Sequence, residues 1–427
     1  MRNIWGLVAL SVVLALGSAC HKGKNQNSTD VRVVNSVAAS APIDILIDGD
    51  VKLAGVAYGV TSSFAEFGSG DHELVVRNTT TQTVLYDKTM SFGSGATTTL
   101  VVYGNPAAVG VLQLDDSTTS PSSSANFKIR TVDGSPDAAA VDVFVTQAND
   151  ISTAPATFSG ALYGAASGFA EAPAGNYNIF VTIAGTKDIL YQTTSTIALA
   201  ANTDYTFVVV PSGGGKLANG VLYAQGSNGT GTYLPNTFGR VKAVNGVPDS
   251  VGLTFKVDGT PVLSAVPFAG NSSYVSALAG SRTISVEASN VPGVSLTSTQ
   301  LQINPARDYT IAAVNALAQV SLVAFVDDNT LPGAGLAKIR FGNLEVGSTN
   351  VDVLLNFANQ VSALPYATVS SYYSVGPSLT YTISFTSAGG VTVIATLSPV
   401  ELDAGGVYTA YLVGTPSAPR IVLSRDR

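Results

Sequence analysis

The chain has 427 residues, of which only 11% are charged, and its formal net charge is −7. A mildly acidic chain without a basic cluster argues against nucleic acid as a partner and against electrostatic docking on anionic lipid. A single cysteine excludes an intrachain disulfide, and two histidines are too few for a histidine-based zinc site.

Residues 1–19 are typical of a signal peptide. Arg2 is followed by an almost wholly apolar run over residues 4–16, which is shorter than the ~20 residues of a membrane-spanning helix. Small residues then precede Cys20, the one cysteine of the chain. This segment resembles a bacterial lipoprotein signal, which implies cleavage before Cys20 and attachment there of a diacylglyceryl group and an N-acyl chain such as palmitate. The alternative interpretation is an ordinary secretory signal with an incidental cysteine.

Residues 20–30 are polar after the cysteine and predict a flexible tether behind the lipid. Each buried CH₂ of the acyl chains contributes ~0.8 kcal/mol, so several chains anchor a protein stably. His21, rather than aspartate, follows the cysteine, which by analogy with enteric bacteria favours the outer membrane. We therefore expect an extracytoplasmic protein whose first partner is the membrane, contacted through the N-terminal lipid.

Four copies of one pattern fill the chain from residue 31 onwards, opening with Val31-Arg32, Ile129-Arg130, Val241-Lys242 and Ile339-Arg340. A nearly constant period of about 100 residues identifies the structural unit, and four such units suit a chain too long for one core. We predict repeats at 31–116, 127–226, 239–328 and 337–427. Polar linkers are predicted at 117–126, 227–238 and 329–336.

Within each copy, alternating apolar residues and short β-branched runs are bounded by Gly, Pro, Asn or Asp. Seven or so such strands in ~100 residues indicate an antiparallel β-sandwich. The Ala-rich segment 311–323 fits a helical period, but the other copies have strand, turn and strand there, so we predict a hairpin with its turn near Asn315. The polar linkers predict sandwiches that behave as beads with little mutual contact.

Residues 129–145, Ile-Arg-Thr-Val-Asp-Gly-Ser-Pro-Asp-Ala-Ala-Ala-Val-Asp-Val-Phe-Val, resemble the opening signature of a bacterial extracytoplasmic family catalogued as domain of unknown function 4397. Residues 241–249 match that signature in part. The resemblance implies immunoglobulin-like or transthyretin-like sandwiches in a cell-surface setting, with no settled activity. The family's usual histidine is replaced here by Asn35, Asp133, Asn245 and Asn343, so a metal or proton-transfer role at that position fails.

A pair of aromatic residues six apart recurs in every copy: Tyr58 and Phe64, Tyr163 and Phe169, Phe268 and Tyr274, Tyr366 and Tyr372. Even spacing in an extended segment places both rings on one face, which favours core packing. Exposed rings would instead form a strip on which sugars stack. In that case Tyr366, Tyr372 and Tyr373 of the last copy are the candidate ligand-binding residues.

Nucleophilic or metal-assisted catalysis needs histidine, thiolate or convergent carboxylates. His72 lies at a strand start and is interpreted as a substituted strand residue. Asp115-Asp116 and Asp327-Asp328 end copies 1 and 3; they are interpreted as solvated turns, with a Ca²⁺ site at the joint as the alternative.

Asp44, Asp142 and Asp352 recur at one strand position, with Thr254 in the remaining copy. Recurrence in several copies indicates a role in the fold. A side chain that accepts N–H groups from a neighbouring turn would fill that role.

We interpret the chain as a non-enzymatic, lipid-anchored surface protein without a cofactor, in which tandem sandwiches act as a binding or spacer element. The alternative is an adhesin or glycan-binding protein that uses aromatic residues of the last, membrane-distal copy. A carboxylate-based glycosidase ranks third, because it requires two carboxylates within ~10 Å in one cleft. The expected partner beyond the membrane is a surface protein or a glycan.

Overall fold

The computed structural model describes residues 27–38, 41–226, 230–390 and 392–427. These described residues form eight β-sheets, two for each copy of the sequence pattern. The predicted leader, Cys20 and His21 lie outside the described residues. Within the described ranges, no helix has the length and hydropathy that a membrane crossing requires.

The first copy shows the arrangement that the others repeat. Its strands are β1 (Ser28–Val37), β2 (Ile43–Ile47), β3 (Asp50–Val56), β4 (Ala65–Gly68), β5 (Gly70–Asn78), β6 (Val84–Phe92), β7 (Thr97–Asn105) and β8 (Ala108–Asp115). One sheet has the order β3-β2-β5-β6 and is antiparallel. The other has the order β4-β1-β7-β8, and in it β1 runs parallel to β7. We call these the outer sheet and the mixed sheet of a copy.

The second copy contains β9 (Asn126–Asp133), β10 (Ala140–Thr146), β11 (Phe158–Leu162), β12 (Ala170–Pro173), β13 (Gly175–Ile183), β14 (Ile189–Gln192), β15 (Ile197–Leu199), β16 (Asp204–Pro211), β17 (Ala218–Ala224) and β18 (Thr232–Leu234). Its mixed sheet is β12-β9-β16-β17-β18, and its outer sheet is β11-β10-β13-β14 with β15 beside β13. The parallel pair is β9 and β16.

The third copy contains β19 (Phe238–Asn245), β20 (Leu253–Val257), β21 (Thr260–Val266), β22 (Val275–Leu278), β23 (Gly280–Ala288), β24 (Ser295–Ile303), β25 (Asp308–Val314), a single 3₁₀ turn (Leu317–Gln319) and β26 (Ser321–Asp327). Its sheets are β22-β19-β25-β26 and β21-β20-β23-β24. The hairpin predicted around Asn315 is confirmed, because β25 and β26 pair across that turn.

The fourth copy contains β27 (Ala337–Asn343), β28 (Val351–Leu355), β29 (Ala358–Leu364), β30 (Thr368–Val369), β31 (Tyr373–Val375), β32 (Ser378–Ser387), β33 (Val393–Leu402), β34 (Val407–Thr415) and β35 (Ala418–Arg425). Its mixed sheet is β30-β27-β34-β35 with β31 beside β27, and its outer sheet is β29-β28-β32-β33.

The prediction of tandem β-sandwiches is confirmed, with one difference in strand direction. The first strand of every copy has a parallel neighbour (β7, β16, β25 and β34 in copies 1 to 4), whereas an antiparallel arrangement was predicted. Parallel neighbours need a crossover connection of a dozen or more residues. In each copy the strands of the outer sheet form that connection. The alternation of residues along one strand does not show whether the neighbouring strand is parallel or antiparallel.

Each copy has a hydrophobic core between its two sheets, such as the cluster of Val33, Ile45, Leu74 and Leu100 in the first copy. The recurring aspartates support these sandwiches from outside the core, as predicted. Their carboxylates accept hydrogen bonds from backbone N–H groups of neighbouring turns: Asp44 from Gly55, Asp142 from Gly160 and Gly185, Asp352 from Ala363 and Gly389. Gly55, Gly160 and Ala363 have positive φ, so the carboxylate holds a β-bulge in place.

The copies do not behave as independent beads, and that prediction is wrong. A second hydrophobic cluster joins the mixed sheets of copies 1 and 2, and another joins those of copies 3 and 4. Their fully buried members are Val34, Val101, Val132, Val208, Val210 and Val221 in the first, and Val244, Ala312, Leu344, Tyr411 and Val413 in the second. Burial of this kind between two sheets is the packing of a domain core.

The predicted linkers are also bound to the sandwiches. In the first, Thr119 N–H donates to Asp204 at 2.9 Å. In the second, strand β18 extends the mixed sheet of copy 2. In the third, the fully buried Asn329 donates to Asp308 at 2.8 Å. Polar composition therefore missed the strand in the second linker and did not indicate the surfaces on which the linkers pack.

Candidate functional site

A buried cation occupies the same position in every copy, the second residue of the opening doublet. Because side chains alternate along a strand, the first residue faces the core and the second faces the neighbouring copy. These cations are Arg32, Arg130, Lys242 and Arg340, and none is more than 7% exposed. A charged group is almost never buried unless it is paired.

The buried arginines of copies 1 and 2 each donate a hydrogen bond to the other copy. Arg32 donates to the carbonyl oxygen of Ala224 at 3.0 Å, and Arg130 donates to that of Asp115 at 2.9 Å. Ala224 and Asp115 occupy equivalent positions at the ends of the last long strands, so the contact is reciprocal, as in a two-fold interface. Asp116, which is fully buried, forms an ion pair with Arg32 and lies 3.9 Å from Arg130.

Copies 3 and 4 repeat this exchange with two carboxylates. Lys242 forms an ion pair with Asp426 of copy 4 and donates to Ser424 at 2.9 Å. Arg340 forms an ion pair with Asp327 of copy 3 and donates to the carbonyl oxygen of Val326 at 3.1 Å. Each interface is therefore stabilised by buried, charge-assisted hydrogen bonds that lie inside a hydrophobic cluster.

The paired aromatic residues belong to these interfaces. The second ring of each pair covers the cation of its own copy: Phe64 over Arg32 at 4.8 Å, Phe169 over Arg130 at 5.1 Å, Tyr274 over Lys242 at 5.3 Å and Tyr372 over Arg340 at 4.8 Å. A cation within about 6 Å of a ring centroid is attracted by the π face.

The first residue of each pair reaches the partner copy. Tyr58 donates to the carbonyl oxygen of Pro211 at 2.6 Å, and the ring of Tyr163 lies edge-on to that of Tyr103, 5.2 Å between centroids. The aromatic pairs were recognised from the sequence, but the cations that they cover were not. The signal was present, since a basic residue recurs in all four opening strands of a chain with few charges.

The three candidate ligand-binding tyrosines lie close to the interface of copies 3 and 4. Tyr366 is half-buried and donates to Asn315 of copy 3 at 2.7 Å. Tyr372 covers Arg340, and Tyr373 packs on the core with its ring centroid 6.1 Å from that of Phe341. These contacts give all three a packing role, and a glycan role for them stays a prediction.

Electrostatics at the interfaces follow from burial and pairing. Burial raises the pKa of Asp116 and of Asp327, while the arginine in contact with each carboxylate lowers it. Burial has the largest single effect on the pKa of Lys242 and lowers it, but Asp426, Tyr411 and Asp327 together outweigh burial and the net shift is upward. The ammonium therefore stays protonated, and removing its carboxylate partner would leave an unpaired buried charge.

The carboxylates considered for calcium have other partners. Asp116 and Asp327 are buried ion-pair members, so neither the solvated turn nor the calcium site describes them. Asp115 accepts from Ser117, and Asp328 pairs with Lys338 at 2.9 Å. In the described ranges of the chain, no three His, Cys, Asp or Glu side chains are grouped so as to hold a metal ion.

His72 is engaged at both ring nitrogens. Its Nδ1 lies 2.6 Å from Asp48, and its Nε2 lies 2.7 Å from the carbonyl oxygen of Gly68. The ring also packs edge-on against Phe67. The interpretation of His72 as a strand residue fits this geometry.

A cavity of about 250 Å³ lies where copies 1 and 2 meet the third linker. Its wall includes Pro106, Pro136, Pro211 and Pro332, and its carboxylate, Asp137, is already paired with Arg427 at 2.7 Å. The cavity therefore presents apolar, rigid walls without a free charged group of its own.

A family model described as "Domain of unknown function (DUF4397)" matches residues 29–144, 127–229 and 239–353, which together make up more than half of the chain. The chain belongs to the DUF4397 family. Residues 354–427, which make up most of copy 4, lie outside these matches. A comparison with curated proteins finds no match.

Two solved structures are similar in part. One is a carbohydrate-binding module of family CBM26 from Eubacterium rectale Amy13K in complex with maltoheptaose: 12% identity, 47% of this chain and 98% of that chain covered, TM-score 0.16. The other is the Bacillus anthracis TIE protein: 14% identity, 91% and 68% covered, TM-score 0.15. Likenesses at these TM-scores carry no argument about the function of a DUF4397 chain.

The DUF4397 signature aspartate joins distant parts of this chain. In copy 2, Asp137 accepts from Arg427, and in copy 3, Asp249 accepts from the N–H of Leu317 at 2.8 Å. The first contact connects copies 2 and 4, and the second orders the turn between β25 and β26.

The position of the usual DUF4397 histidine serves the fold here. In three copies an asparagine amide donates to a backbone carbonyl 21 residues later: Asn35 to Val56, Asn245 to Val266 and Asn343 to Leu364. Asp133 of copy 2 has no such donor, and its Oδ2 is buried without a hydrogen-bond partner. Burial raises the pKa of Asp133 to about 7, and the nearby Asp137 adds to that rise.

Proposed function

We propose that this DUF4397 chain is a lipid-anchored, non-enzymatic surface protein whose sandwiches form one rigid body that presents its outer sheets to a partner. The reciprocal burial of Arg32 and Arg130, and of Lys242 and Arg340, joins the copies in two pairs, and the buried ion pair of Arg427 and Asp137 joins copy 4 to copy 2; these contacts carry the proposal. Buried charges fix one relative position of two sheets, because any slip would leave them unpaired. A body held in this way suits a binding scaffold better than a flexible spacer.

The anchor is supported by the sequence around Cys20. Its basic start, short apolar run and small residues before the cysteine resemble a lipoprotein signal, and by analogy His21 favours the outer membrane. Two or more acyl chains give stable anchoring.

The non-enzymatic role is supported by what the ionisable groups do. Asp44, Asp142 and Asp352 hold bulges, while Asp116, Asp327 and Asp426 pair with interface cations. A carboxylate committed to a structural contact is a poor general acid or base, because proton transfer would break that contact.

The anchor is tested by fractionating a double-membraned bacterium that expresses the full chain. We expect wild type in the membrane fraction and Cys20→Ala in the soluble fraction, with Asn25→Ala as the matched control that stays in the membrane. Cleavage of the leader removes Trp5, so the anchored protein should show tyrosine-only fluorescence. Membrane retention of Cys20→Ala would refute the anchor.

The rigid body is tested by pulsed electron paramagnetic resonance on Cys20→Ala protein with spin labels at Thr80→Cys and Ser417→Cys. Both positions are exposed, one in copy 1 and the other in copy 4. One body predicts a single narrow distance distribution, whereas a flexible spacer predicts a broad one.

A further inference from the structure

The outer sheet of copy 4 has a composition unlike that of copies 1 and 3. From Val353 to Val400, a run of 48 residues contains no Asp, Glu, Lys, Arg or His. This run includes all of β29 and β32, three of the five residues of β28 and eight of the ten residues of β33. The outer-sheet strands of copies 1 and 3 carry several charged residues each, whereas those of copy 4 carry only Asp352, which holds the bulge, and Glu401 near the end of β33. The outer-sheet strands of copy 2, with Asp142 alone, are similarly poor in charge.

Strand register places hydroxyl and amide groups in rows on that face. Asn356 accepts from the N–H of Thr382 at 2.9 Å, and the Thr382 hydroxyl lies 2.9 Å from that of Ser398. In the next row Ser384 pairs with Thr396, whose hydroxyls are 3.0 Å apart. Neighbouring strands are ~4.8 Å apart, so the rows form a regular array of donors and acceptors.

The neutral residues replace charged ones at matching positions. Asn356 stands where copies 1 and 3 have Asp48 and Asp258, because each side chain accepts the N–H of the facing strand. Tyr381 likewise stands where those copies have His72 and Arg282. Loss of charge at both positions makes this face complementary to a partner without charge.

Phe357 projects at the end of the first row. It is 80% exposed and has a φ of +68°, where the equivalent turns of copies 1 and 3 use Gly49 and Gly259, both with positive φ. A bulky residue in this region is strained, and an exposed ring gains no packing in return. Strain that packing does not offset points to a contact made outside the chain.

On these observations, and resting on the binding role proposed above, we infer that the outer sheet of copy 4 binds an uncharged polysaccharide, with Phe357 as the stacking platform. Sugars offer hydroxyls to the rows of Asn, Ser and Thr, and their C–H faces suit an exposed aromatic ring. The site lies on β28, β32 and β33 and in the turn between β28 and β29, away from Tyr366, Tyr372 and Tyr373.

The test is native affinity electrophoresis of Cys20→Ala protein in gels that contain dextran, glucomannan or arabinoxylan, with polygalacturonate as the anionic comparator. We expect retardation by at least one neutral polysaccharide and none by polygalacturonate. Phe357→Gly and Thr382→Glu, which copy Gly49 and Glu73 of copy 1, should each weaken binding about tenfold or more. Leu278→Ser, at another highly exposed apolar residue, is the matched control and should leave binding unchanged.

Phe357→Gly distinguishes a loss of binding from a loss of folding. Glycine adopts the positive φ without strain, so the urea midpoint of unfolding should stay the same or rise while polysaccharide binding weakens. Absence of retardation by every neutral polysaccharide, or retardation that neither variant weakens, would overturn the inference. A Phe357-dependent dimer in analytical ultracentrifugation, or Phe357-dependent sedimentation with phosphatidylcholine vesicles, would overturn it in favour of another occupant. After any of these results the proposed scaffold would still be supported, provided that Cys20→Ala protein leaves the membrane fraction and the spin-label distance distribution is narrow.

Discussion

Arg427 and Asp137 form a buried ion pair that spans 290 residues of sequence. The guanidinium donates to the carboxylate and to the backbone carbonyl of Asp137, both at 2.7 Å, and also to the carbonyl of Asn329 at 2.9 Å. One side chain of copy 4 thus holds copy 2 and the third linker together.

Arg427→Ala should destabilise the protein by about 3 kcal/mol, because it leaves a buried carboxylate without its partner. The loss should be smaller at acid pH. Burial already raises the pKa of Asp137 and Arg427 lowers it, so removing Arg427 favours the neutral acid. Urea unfolding at pH 4.5 and pH 8 measures both effects.

Arg425→Ala is the control for that experiment. Arg425 pairs with Asp403 on the surface, where both side chains are well exposed, and such pairs contribute less than about 1 kcal/mol. Equal losses for the two variants would show that the Arg427 contact is not formed in solution.

Asp133→Asn should stabilise the protein at pH 8 by about 1–3 kcal/mol, the cost of a buried unsatisfied polar group. The pKa of Asp133 in the folded state, about 7, lies above its ordinary value of 3.8. The folded state therefore holds a proton that the unfolded state releases, and wild-type stability falls as the pH rises from about 4 to about 7. Urea midpoints at pH 5 and pH 8 should differ less in the variant.

Asp142→Asn should change the stability in the opposite direction to Asp133→Asn. The Asp142 carboxylate accepts from two backbone N–H groups, and an amide offers only one oxygen. This variant should lose stability at both pH values, and a gain there would contradict the bulge-holding role.

Tyr366→Phe and Tyr372→Phe should change the stability of the protein differently, although both residues belong to the same aromatic pair. The Tyr366 hydroxyl donates to the side chain of Asn315 and accepts from its N–H, so its removal should cost about 1–2 kcal/mol. The Tyr372 hydroxyl is buried without a hydrogen-bond partner, so its removal should be neutral or stabilising while the ring keeps its contact with Arg340. Thermal unfolding of both variants checks the order.

Fragment 239–427 should unfold cooperatively, whereas fragment 337–427 should lose much of its stability. The shorter fragment exposes Leu344, Tyr411 and Val413 and leaves Arg340 without Asp327. If the linkers were only spacers, as predicted from the sequence, fragment 337–427 would instead fold independently. Circular dichroism in urea decides between the two, and a fully stable fragment 337–427 would contradict the shared core.

The alternation of apolar residues, the repeat period and the recurring aspartates were sufficient for the sandwich fold and the bulge contacts. These features are local, since alternation along one strand sets which side chains face the core. The hairpin at Asn315 was predicted by the same means, from the register of the other copies. The candidate residues Tyr366, Tyr372 and Tyr373 were found as a pattern, but their surroundings depend on which surface each copy turns towards its neighbour.

By itself the sequence determined a tandem all-β architecture of DUF4397 type and the positions of the copies' strands; a lipid anchor at Cys20 stays a prediction. Only the tertiary structure decided that copies 1 and 2, and copies 3 and 4, share buried interfaces, and that Asp137 meets Arg427. The physical reason is that continuous apolar runs, such as residues 100–102 and 208–210, indicate that both faces of a strand are covered but not which surface covers the second face. Burial of Arg32, Arg130, Lys242 and Arg340 depends on partners supplied from distant positions, and no local pattern specifies them.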